Sequence, residues 1–276
     1  MPKGKEEIGC AGRKAKQWGG WRKALLFSPG KETGELKRIY KLNPKELGEL
    51  IEELKVEDVE KKMIRLAYKA LGTPYQPQTW EGALTFNLKG VDCVTLVEQI
   101  VALALASDKS SLAPTLLRLR FKDGVTGPLT RNHFIAADWL PNNSHFLEDV
   151  TQLLGGERTA YIEKTINRKE FFKQRGLKWE GKPTTIIRSA YLPRSIIPAL
   201  VSALPPLTII PIVKERPDVV ITHLGFGIFA STGGPKFIHA SQESKAVVET
   251  NLLDYITRDK EIMGIKVIRL KEKWKR

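Results

Sequence analysis

The sequence predicts an α+β fold, with helices in its first half and an antiparallel sheet in its last third. Two amphipathic helical segments begin near Asn43 and Val59, and an almost wholly apolar one follows Cys93. Beyond residue 206 the chain consists of short β-branched runs separated by turns, a pattern typical of strands. Because helices and strands are segregated along the chain, an antiparallel meander is favoured over alternating βαβ units.

The first two helices have recognisable ends. Asn43 is a good N-cap and Pro44 suits the first helical position, so NPKELGELIEELK predicts a helix. A second helix is expected over about 59–71, with Gly72 as its C-cap. The proline- and glycine-punctuated segment TPYQPQTWEGALTFNLKG predicts a loop that leads into the Cys93 helix.

The remaining elements are shorter. LLRLRFKDG predicts a short element ending in a turn, and KEFFKQRG is a weak helix within a polar, basic stretch over 155–195. SIIPALVSALPP follows and is closed by two prolines. The predicted strands of the meander lie at 207–213, 218–230, 236–241, 245–249 and 264–270.

Charge and length suggest an extension followed by one large domain. The chain has 276 residues and a net charge of +14, of which +7 lies in residues 1–41. We expect a basic N-terminal extension with one helix over 1–57 and the main domain over 58–276. A basic segment suits an anionic polymer (nucleic acid, a membrane surface or cell-wall polymer) or is simply a solvated arm. No nucleic-acid motif accompanies it, so no nucleic-acid partner is expected.

Several classes of protein do not fit the sequence. No run approaches 18 apolar residues, so no membrane span is predicted. The longest apolar run near the N-terminus, ALLF, is too short for a signal peptide, which predicts a cytoplasmic protein unless the true N-terminus is missing. Two cysteines and four histidines match neither a disulfide framework nor a zinc spacing, so no metal or cofactor is expected.

Cys93 stands at the start of the apolar helix, beside Asp92. Free backbone N–H groups and the positive end of the helix dipole favour an anion there, which predicts that the thiolate is favoured over the thiol. The alternative is that Cys93 is a small buried hydrophobic residue, since free cysteines are often buried.

Two histidines flank a turn of the predicted meander. His223 and His239 each lie eight residues from Ser231, so a hairpin closing there makes them opposite or diagonal neighbours on one face. Two facing imidazoles and a cysteine at a helix N-terminus are the parts of a thiol hydrolase: a nucleophile, a base and an orienting group. Taken singly, either histidine would rather be interpreted as a satisfied core residue, and it is the pair together with Cys93 that favours the hydrolase.

Four ordered segments carry a family resemblance. LGTPY (71–75), GVDCVTLVEQ (90–99), THLGF (222–226) and FIHAS (237–241) resemble the motifs of the NlpC-type cell-wall cysteine hydrolases, which are papain-like enzymes. The Asp-Cys-Val-Thr variant, with LRLRFKDG and RNHFIAADWLPNN, is similar to the N-acetylmuramoyl-L-alanine amidase-like branch, once catalogued as a domain of unknown function. The resemblance spans roughly 60–270 and departs from the branch at Val91, where an aromatic residue is usual.

This resemblance implies a papain-like α+β hydrolase that needs no cofactor. Cys93 is implied as the nucleophile, His223 as the general base and acid, and His239 as the residue that orients His223. Tyr75 is implied to lie near the thiol and to hydrogen-bond the substrate or oxyanion, for which the Cys93 backbone N–H is the natural donor. The residues implied to line the substrate cleft are Arg120, Asp123, Arg131, His133, Trp139 and Asn142. The alternative for Trp139 is a position in the core, and the alternative for Asp123 is a place in an ordinary turn.

The implied reaction is hydrolysis of an amide in a muropeptide, through a thioester on Cys93. The bond between N-acetylmuramic acid and L-alanine is favoured, and the γ-D-glutamyl–diamino acid bond, cut by endopeptidases of the same superfamily, is the alternative. Two other hypotheses stay open: an acyltransferase of the same fold, in which an amine replaces water, and a non-catalytic module that binds anionic cell-wall polymer through the basic segment.

Overall fold

The computed structural model describes residues 37–77, 86–216, 219–229, 234–271 and 274. Helix α3 is central: it contacts the helices α1, α2 and α4 and the sheet strands β5 and β6. The helices of the described chain are α1 (Pro44–Leu54), α2 (Val59–Lys69), α3 (Cys93–Leu105), α4 (Lys109–Arg120), α5 (Leu140–Asn142), α6 (Thr151–Gly155), α7 (Arg168–Lys173), α8 (Ile197–Leu200) and α9 (Leu252–Arg258). A π-helical turn, Ile135–Trp139, runs directly into α5.

The described strands form one antiparallel sheet in the order β2-β3-β8-β4-β5-β6-β7, with β9 pairing β1 and β4. This arrangement confirms the predicted α+β fold with an antiparallel sheet. The strands are β1 (Leu147–Asp149), β2 (Ala160–Asn167), β3 (Thr184–Pro193), β4 (Leu207–Lys214), β5 (Ile221–Ile228), β6 (Lys236–Ser241), β7 (Ala246–Asn251), β8 (Ile262–Ile265) and β9 (Ile268–Leu270).

The predicted start of α1 is confirmed. The Asn43 side chain accepts from the backbone N–H groups of Lys45 and Glu46, and the Glu46 carboxylate accepts from the Asn43 N–H at 2.8 Å. This reciprocal capping box satisfies N–H groups that have no partner inside the helix. Helix α2 ends at Lys69 with Ala70 as its C-cap, so Gly72 as C-cap was wrong by two residues. Gly72 instead takes a φ of +80°, just beyond the helix.

Three parts of the fold differ from the sequence prediction. LLRLR is the end of a full helix, α4, whose start is capped by Asp108 and whose interior contains Pro114. The polar stretch over 155–195 contains the long β2–β3 hairpin as well as the predicted short helix α7. The predicted strand over 264–270 is divided into β8 and β9, and between them the Lys266 N–H bonds to the Pro211 carbonyl.

The proposed boundary at residue 57 stays a prediction. Leu50, Ile51 and Leu54 of α1 lie in the same buried core as Leu96 of α3, so this part of the predicted extension packs on the main domain. The predictions about the basic segment and about export depend on the N-terminal residues, and residues 1–36 lie outside the part of the chain that the structure describes. No helix in the described part of the chain is long and apolar enough to cross a membrane.

Candidate active site

Cys93 is the first residue of helix α3, and the capping box before it fixes this position. The Asp92 carboxylate accepts from the Thr95 N–H at 2.7 Å, and the Thr95 hydroxyl accepts from the Asp92 N–H at 2.9 Å. The first N–H groups of a helix have no partner within the helix, so those of Cys93 and Val94 are free to face the thiol. Cys93 itself is partly buried and lines a cavity of about 110 Å³.

The ionisation of this thiol runs opposite to the sequence prediction. Burial raises the pKa of Cys93 to about 12, and the negative charge of Asp92 raises it further. Backbone N–H groups of Leu224, Cys93 and Val94 hydrogen-bond the sulfur and lower the pKa, but by less. The expected preference for thiolate was therefore wrong, because loss of hydration outweighs the helix N-terminus. Burial and the charge of Asp92 together favour a neutral thiol in the resting site.

The two predicted histidines meet on strands β5 and β6. His223 Nε2 lies 2.8 Å from His239 Nδ1, and the rings cross at 87°. In the β5–β6 ladder Phe226 pairs with Ile238, so the strand positions are symmetric about a point one residue after Ser231. With this register His223 and His239 are not directly opposite each other but are diagonal neighbours on one face. The turn itself, 230–233, lies outside the described residues.

Gly225 lets the two strands approach at this point. A Cβ atom added there would lie 2.7 Å from the Ile238 carbonyl oxygen and 2.6 Å from the Phe237 ring. Real Cβ atoms do not make contacts this short, so any larger residue would push β6 and its histidine away. The contact between His223 and His239 thus depends on Gly225, which has no side chain to keep the two strands apart.

Aromatic rings enclose the imidazole pair. Phe237 stacks on His239 with centroids 4.8 Å apart, and Tyr255 of α9 stacks on His223 and meets His239 edge-on. Burial, with the positive charges of Arg258 and Lys214, lowers the pKa of His223 to about 4. Burial, with the charge of His223, lowers the pKa of His239 to about 3. Both imidazoles are therefore neutral at pH 7.

Tyr75 lies beside Cys93, as the resemblance implies. It forms an isolated bridge with Val91, and its N–H bonds to the Lys245 carbonyl at 2.9 Å. Burial raises the pKa of its hydroxyl, and negative charge on Cys93, when that thiol is ionised, and on Asp92 raises it further. The phenol stays protonated and can donate a hydrogen bond near the sulfur.

Cys93 and His223 open into the same cavity. Its other walls come from His133 to Ala136 in the π-helical region, from β5, and from Ile166 and Ile187 of the β2–β3 hairpin. These walls are mainly apolar. A volume of about 110 Å³ is well below the 300–1,000 Å³ typical of ligand pockets, so this cavity receives only the part of a ligand next to the thiol.

A family model for N-acetylmuramoyl-L-alanine amidase-like proteins, called AmiA-like, matches residues 65–265. The chain belongs to this family. No curated protein matches it. Among solved structures, a Legionella pneumophila protein that carries the family description DUF1460 is similar in fold, with 21% identity and a TM-score of 0.72 over 82% of this chain and 93% of that one.

Two Bacteroides structures are also similar to this AmiA-like chain. An N-acetylmuramoyl-L-alanine amidase from Bacteroides uniformis is 26% identical, with a TM-score of 0.62 over 78% of this chain and 99% of the amidase. A Bacteroides fragilis protein with a provisional xylanase description is 25% identical, with a TM-score of 0.60 over 74% of this chain and 98% of that one. The confirmed family matches the resemblance that the sequence motifs carried.

Within the AmiA-like chain, Arg120 and Arg131 lie at a buried carboxylate. Arg120 is 3% exposed and its Nε lies 2.8 Å from Oε2 of Glu98, which is fully buried on α3. Arg131 Nη2 lies 4.0 Å from the same oxygen. Neither arginine lines the Cys93 cavity. Their predicted contact with substrate is not supported by this placement, because both positive charges face Glu98.

Most of the other residues implied to contact the substrate also occupy structural positions. Trp139 is fully buried in the core, and Asp123 occupies a turn at φ +56°. These are the positions that the alternatives to substrate binding predicted for the two residues. Asn142 donates to the Asn132 side chain at 2.6 Å, which in turn donates to the Leu119 carbonyl. Of the six residues, His133 alone is among the described walls of the Cys93 cavity.

His133 is held as a neutral wall residue. Its Nε2 lies 2.6 Å from the Pro128 carbonyl oxygen, and its ring packs edge-on against Phe171 and Phe172. Burial lowers its pKa to about 4. No cluster of three or more His, Cys, Asp or Glu side chains suited to a metal ion occurs in the described ranges.

Sequence reasoning missed two features that shape the AmiA-like site. Tyr255, which covers both histidines, belongs to a short helix that the strand pattern of this region did not reveal. The segment from His133 to Asp138 is fixed by Arg168, which pairs with the Asp138 carboxylate and lies over the Phe134 ring. The Asp138 carboxylate also accepts from the Phe134 N–H, four residues earlier, at 3.1 Å.

Proposed function

We propose that this protein is a cysteine amidase that hydrolyses the bond between N-acetylmuramic acid and L-alanine in peptidoglycan fragments. The observation that carries the proposal is a chain of three groups: Cys93 and His223 line one cavity, and His223 contacts His239 at 2.8 Å. A nucleophile, a base and an orienting group in this order are the components of acyl transfer through a covalent intermediate.

The contact between the histidines determines which nitrogen acts as the base. His223 uses Nε2 toward His239, so Nδ1 is the nitrogen available to take the thiol proton. Nδ1 can accept only in the tautomer that carries hydrogen on Nε2, and that hydrogen is then donated to His239 Nδ1. His239 therefore holds the correct tautomer and ring orientation of His223, the task of the third member of a triad.

A neutral thiol and a neutral imidazole require that proton transfer accompany attack. Cys93 Sγ bonds to the amide carbon as its proton passes to His223, and the carbonyl oxygen becomes an oxyanion. The N–H groups of Cys93, Val94 and Leu224, which surround the sulfur, are donors within reach of such an oxyanion, and Tyr75 is a further one. The tetrahedral intermediate then expels the amine, which takes the proton from His223.

The second half of the reaction uses the same groups. The thioester carbon is attacked by water, whose proton passes to His223, and collapse of the intermediate returns the proton to the Cys93 sulfur. An acyl group on Cys93 is thus released as a carboxylic acid, the lactyl carboxylate for the favoured bond. An acyltransferase would differ only in the use of an amine in place of water.

The choice of bond rests on the family and on the Bacteroides uniformis amidase. A glycosidase, by contrast, needs two carboxyl groups about 5–9.5 Å apart across its scissile bond. The described walls of the Cys93 cavity include neither an aspartate nor a glutamate. The chemistry of this site therefore favours amide hydrolysis over cleavage of a glycan.

The test is product analysis with defined muropeptides. Wild type, Cys93→Ala and the control Cys10→Ser are incubated with muramyl-peptides, and products are identified by mass spectrometry. We expect release of a peptide that begins with L-alanine by wild type and Cys10→Ser alone. A product that begins with the diamino acid would move the bond, and a new amide formed with an added amine would indicate an acyltransferase. Intact substrates in every reaction would contradict the hydrolase.

A further inference from the structure

A second cavity, of about 400 Å³, adjoins the Cys93 cavity. The two share Ala136 and Ile187 as wall residues, so they lie next to each other beside the β2–β3 hairpin. We propose that the second cavity binds the acidic stem peptide of the substrate, with Arg188 taking one of its carboxylates. This inference rests on the proposed function for the identity of the peptide.

The size of the first cavity requires a further binding region. About 110 Å³ accommodates the groups around one amide bond, whereas a muropeptide continues on both sides of that bond. The second cavity has the volume of an ordinary ligand pocket and begins where the first one ends. A peptide that extends from the thiol past Ala136 and Ile187, which line both cavities, would reach the second one.

Arg188 lines this cavity, and its guanidinium is suited to binding an anion. Its guanidinium lies 3.9 Å from the centroid of the Tyr161 ring, which itself is 38% exposed. Glu163 is its directly opposite neighbour in the β2–β3 register and both residues are exposed, yet no ion pair joins them in the described part of the chain. A guanidinium stacked on an aromatic ring keeps its N–H edge available, and that edge matches a carboxylate in two-point fashion.

The other charges of the cavity are already matched. Lys266 is 3% exposed, and its Nζ lies 2.7 Å from Asp149 Oδ2 and 2.6 Å from the Ala190 carbonyl oxygen. This pair is neutral overall and fixed in place, so Arg188 leaves the cavity with a net positive charge. Apolar side chains such as Leu140 and Pro141 line the rest of the wall and suit the aliphatic parts of a peptide.

A peptide carrying carboxylates fits these features better than a sugar. The stem peptide of a muropeptide has a free carboxylate on its D-glutamate and others on its diamino acid and C-terminus. A muramyl sugar whose lactyl carboxyl group is engaged in the scissile amide carries none. The unmatched guanidinium therefore identifies the peptide side of the bond.

The experiment measures binding without turnover. Isothermal titration is carried out on Cys93→Ala with the tripeptide L-Ala–γ-D-Glu–diaminopimelate and with versions amidated at one carboxylate at a time. Arg188→Gln is added to this background, and Arg158→Gln, an exposed arginine just before the hairpin that does not line the cavity, is the matched control. We expect Arg188→Gln to raise Kd by about 10- to 100-fold and the control to leave it unchanged.

Amidation identifies the partner of Arg188. One amidated peptide should bind Cys93→Ala as weakly as the intact peptide binds Arg188→Gln, and should lose nothing further in that variant. Equal Kd values for Arg188→Gln and Arg158→Gln, or no binding of any peptide, would overturn the proposal. Binding of the muramyl sugar alone that depends on Arg188 would overturn it as well. Arg188-dependent peptide binding by a chain that cleaves no muropeptide would leave this site standing and remove the amidase.

Discussion

His223 Nε2 and His239 Nδ1 lie 2.8 Å apart across strands β5 and β6, and this contact joins two neutral rings. A carboxylate in the place of His239 would hold an imidazolium more strongly than a second imidazole does. Burial and aromatic neighbours reinforce the difference, and the pKa of His223 is lowered to about 4. The positive charge on His223 is therefore a feature of the transition state and not of the resting enzyme.

Replacement of His239 tests its orienting role. His239→Leu removes the Nδ1 acceptor, so His223 can adopt the wrong tautomer, and we expect kcat to fall by about 10²- to 10⁴-fold with little change in KM. His239→Asn offers an amide oxygen as acceptor and should retain more activity than His239→Leu. Steady-state kinetics on a muropeptide measures both. Equal kcat values for His239→Leu and wild type would show that the second imidazole has only a packing role.

Alkylation of Cys93 tests whether the resting thiol is neutral. Only the thiolate reacts with iodoacetamide, and burial raises the pKa of Cys93 to about 12. In a Cys10→Ser background, which leaves Cys93 as the only cysteine, the alkylation rate should rise steadily with pH up to at least pH 9. Mass spectrometry of the modified chain gives the rate at each pH. A rate that reaches its plateau below pH 7 would instead reveal a preformed thiolate.

Acid should destabilise the folded protein through its buried histidines. The pKa of His239 is lowered to about 3 and those of His133 and His223 to about 4, against an ordinary value of 6.5. Below pH 6.5 the unfolded chain binds protons that the folded chain does not, so stability is full above pH 6.5 and is lost as pH falls toward 4. The total loss is on the order of several kcal/mol.

Urea unfolding at pH 7, 5.5 and 4.5 measures this loss. His133→Phe removes one of the three groups and should reduce the difference in unfolding free energy between pH 7 and 4.5. His145→Gln removes a histidine at an exposed position and is the control for loss of a histidine that is not buried. A pH dependence that is identical in wild type and His133→Phe would contradict the proposed neutral state of His133.

The parts of the fold that the sequence predicted depend on local interactions. Asn43 caps α1 through bonds to residues two and three positions away, and Cys93 begins α3 because Asp92 caps the helix. The pairing of His223 and His239 follows from the antiparallel register of two strands that are consecutive in the chain, in which opposite positions are found by counting from the middle of the connection. Features decided within a few residues of chain are readable in one sequence.

The parts that were missed depend on distant contacts. The β2–β3 hairpin lies at the end of the sheet and keeps polar residues on exposed positions, so its strands do not form apolar runs. The ionisation of Cys93 was predicted from its helix, but the burial that reverses it comes from the packed tertiary structure around it. Tyr255 reaches the histidines only through the packing of α9 on β6. No pattern near any of these residues reports such neighbours.

The Glu98–Arg120 pair offers a direct comparison between structural and substrate-binding roles. Glu98 is fully buried and Arg120 nearly so, and a buried charge that loses its partner costs about 3–5 kcal/mol. Arg120→Met should lower the unfolding free energy by about this amount, lessened by the remaining Arg131 at 4.0 Å. The double variant Glu98→Leu/Arg120→Met should recover much of it, since no unpaired charge is then left.

Kinetics on the same variants decides between the two roles. If Arg120 acts only on Glu98, KM for a muropeptide stays unchanged in any Arg120→Met protein that is folded at the assay temperature. Arg118→Met, an exposed arginine on the same helix, controls for the general loss of positive charge. A stable Arg120→Met protein with a KM raised ten-fold or more would restore the substrate contact that the sequence resemblance implied. An unstable one with normal KM would place this arginine in the scaffold that holds α3, and with it Cys93, in position.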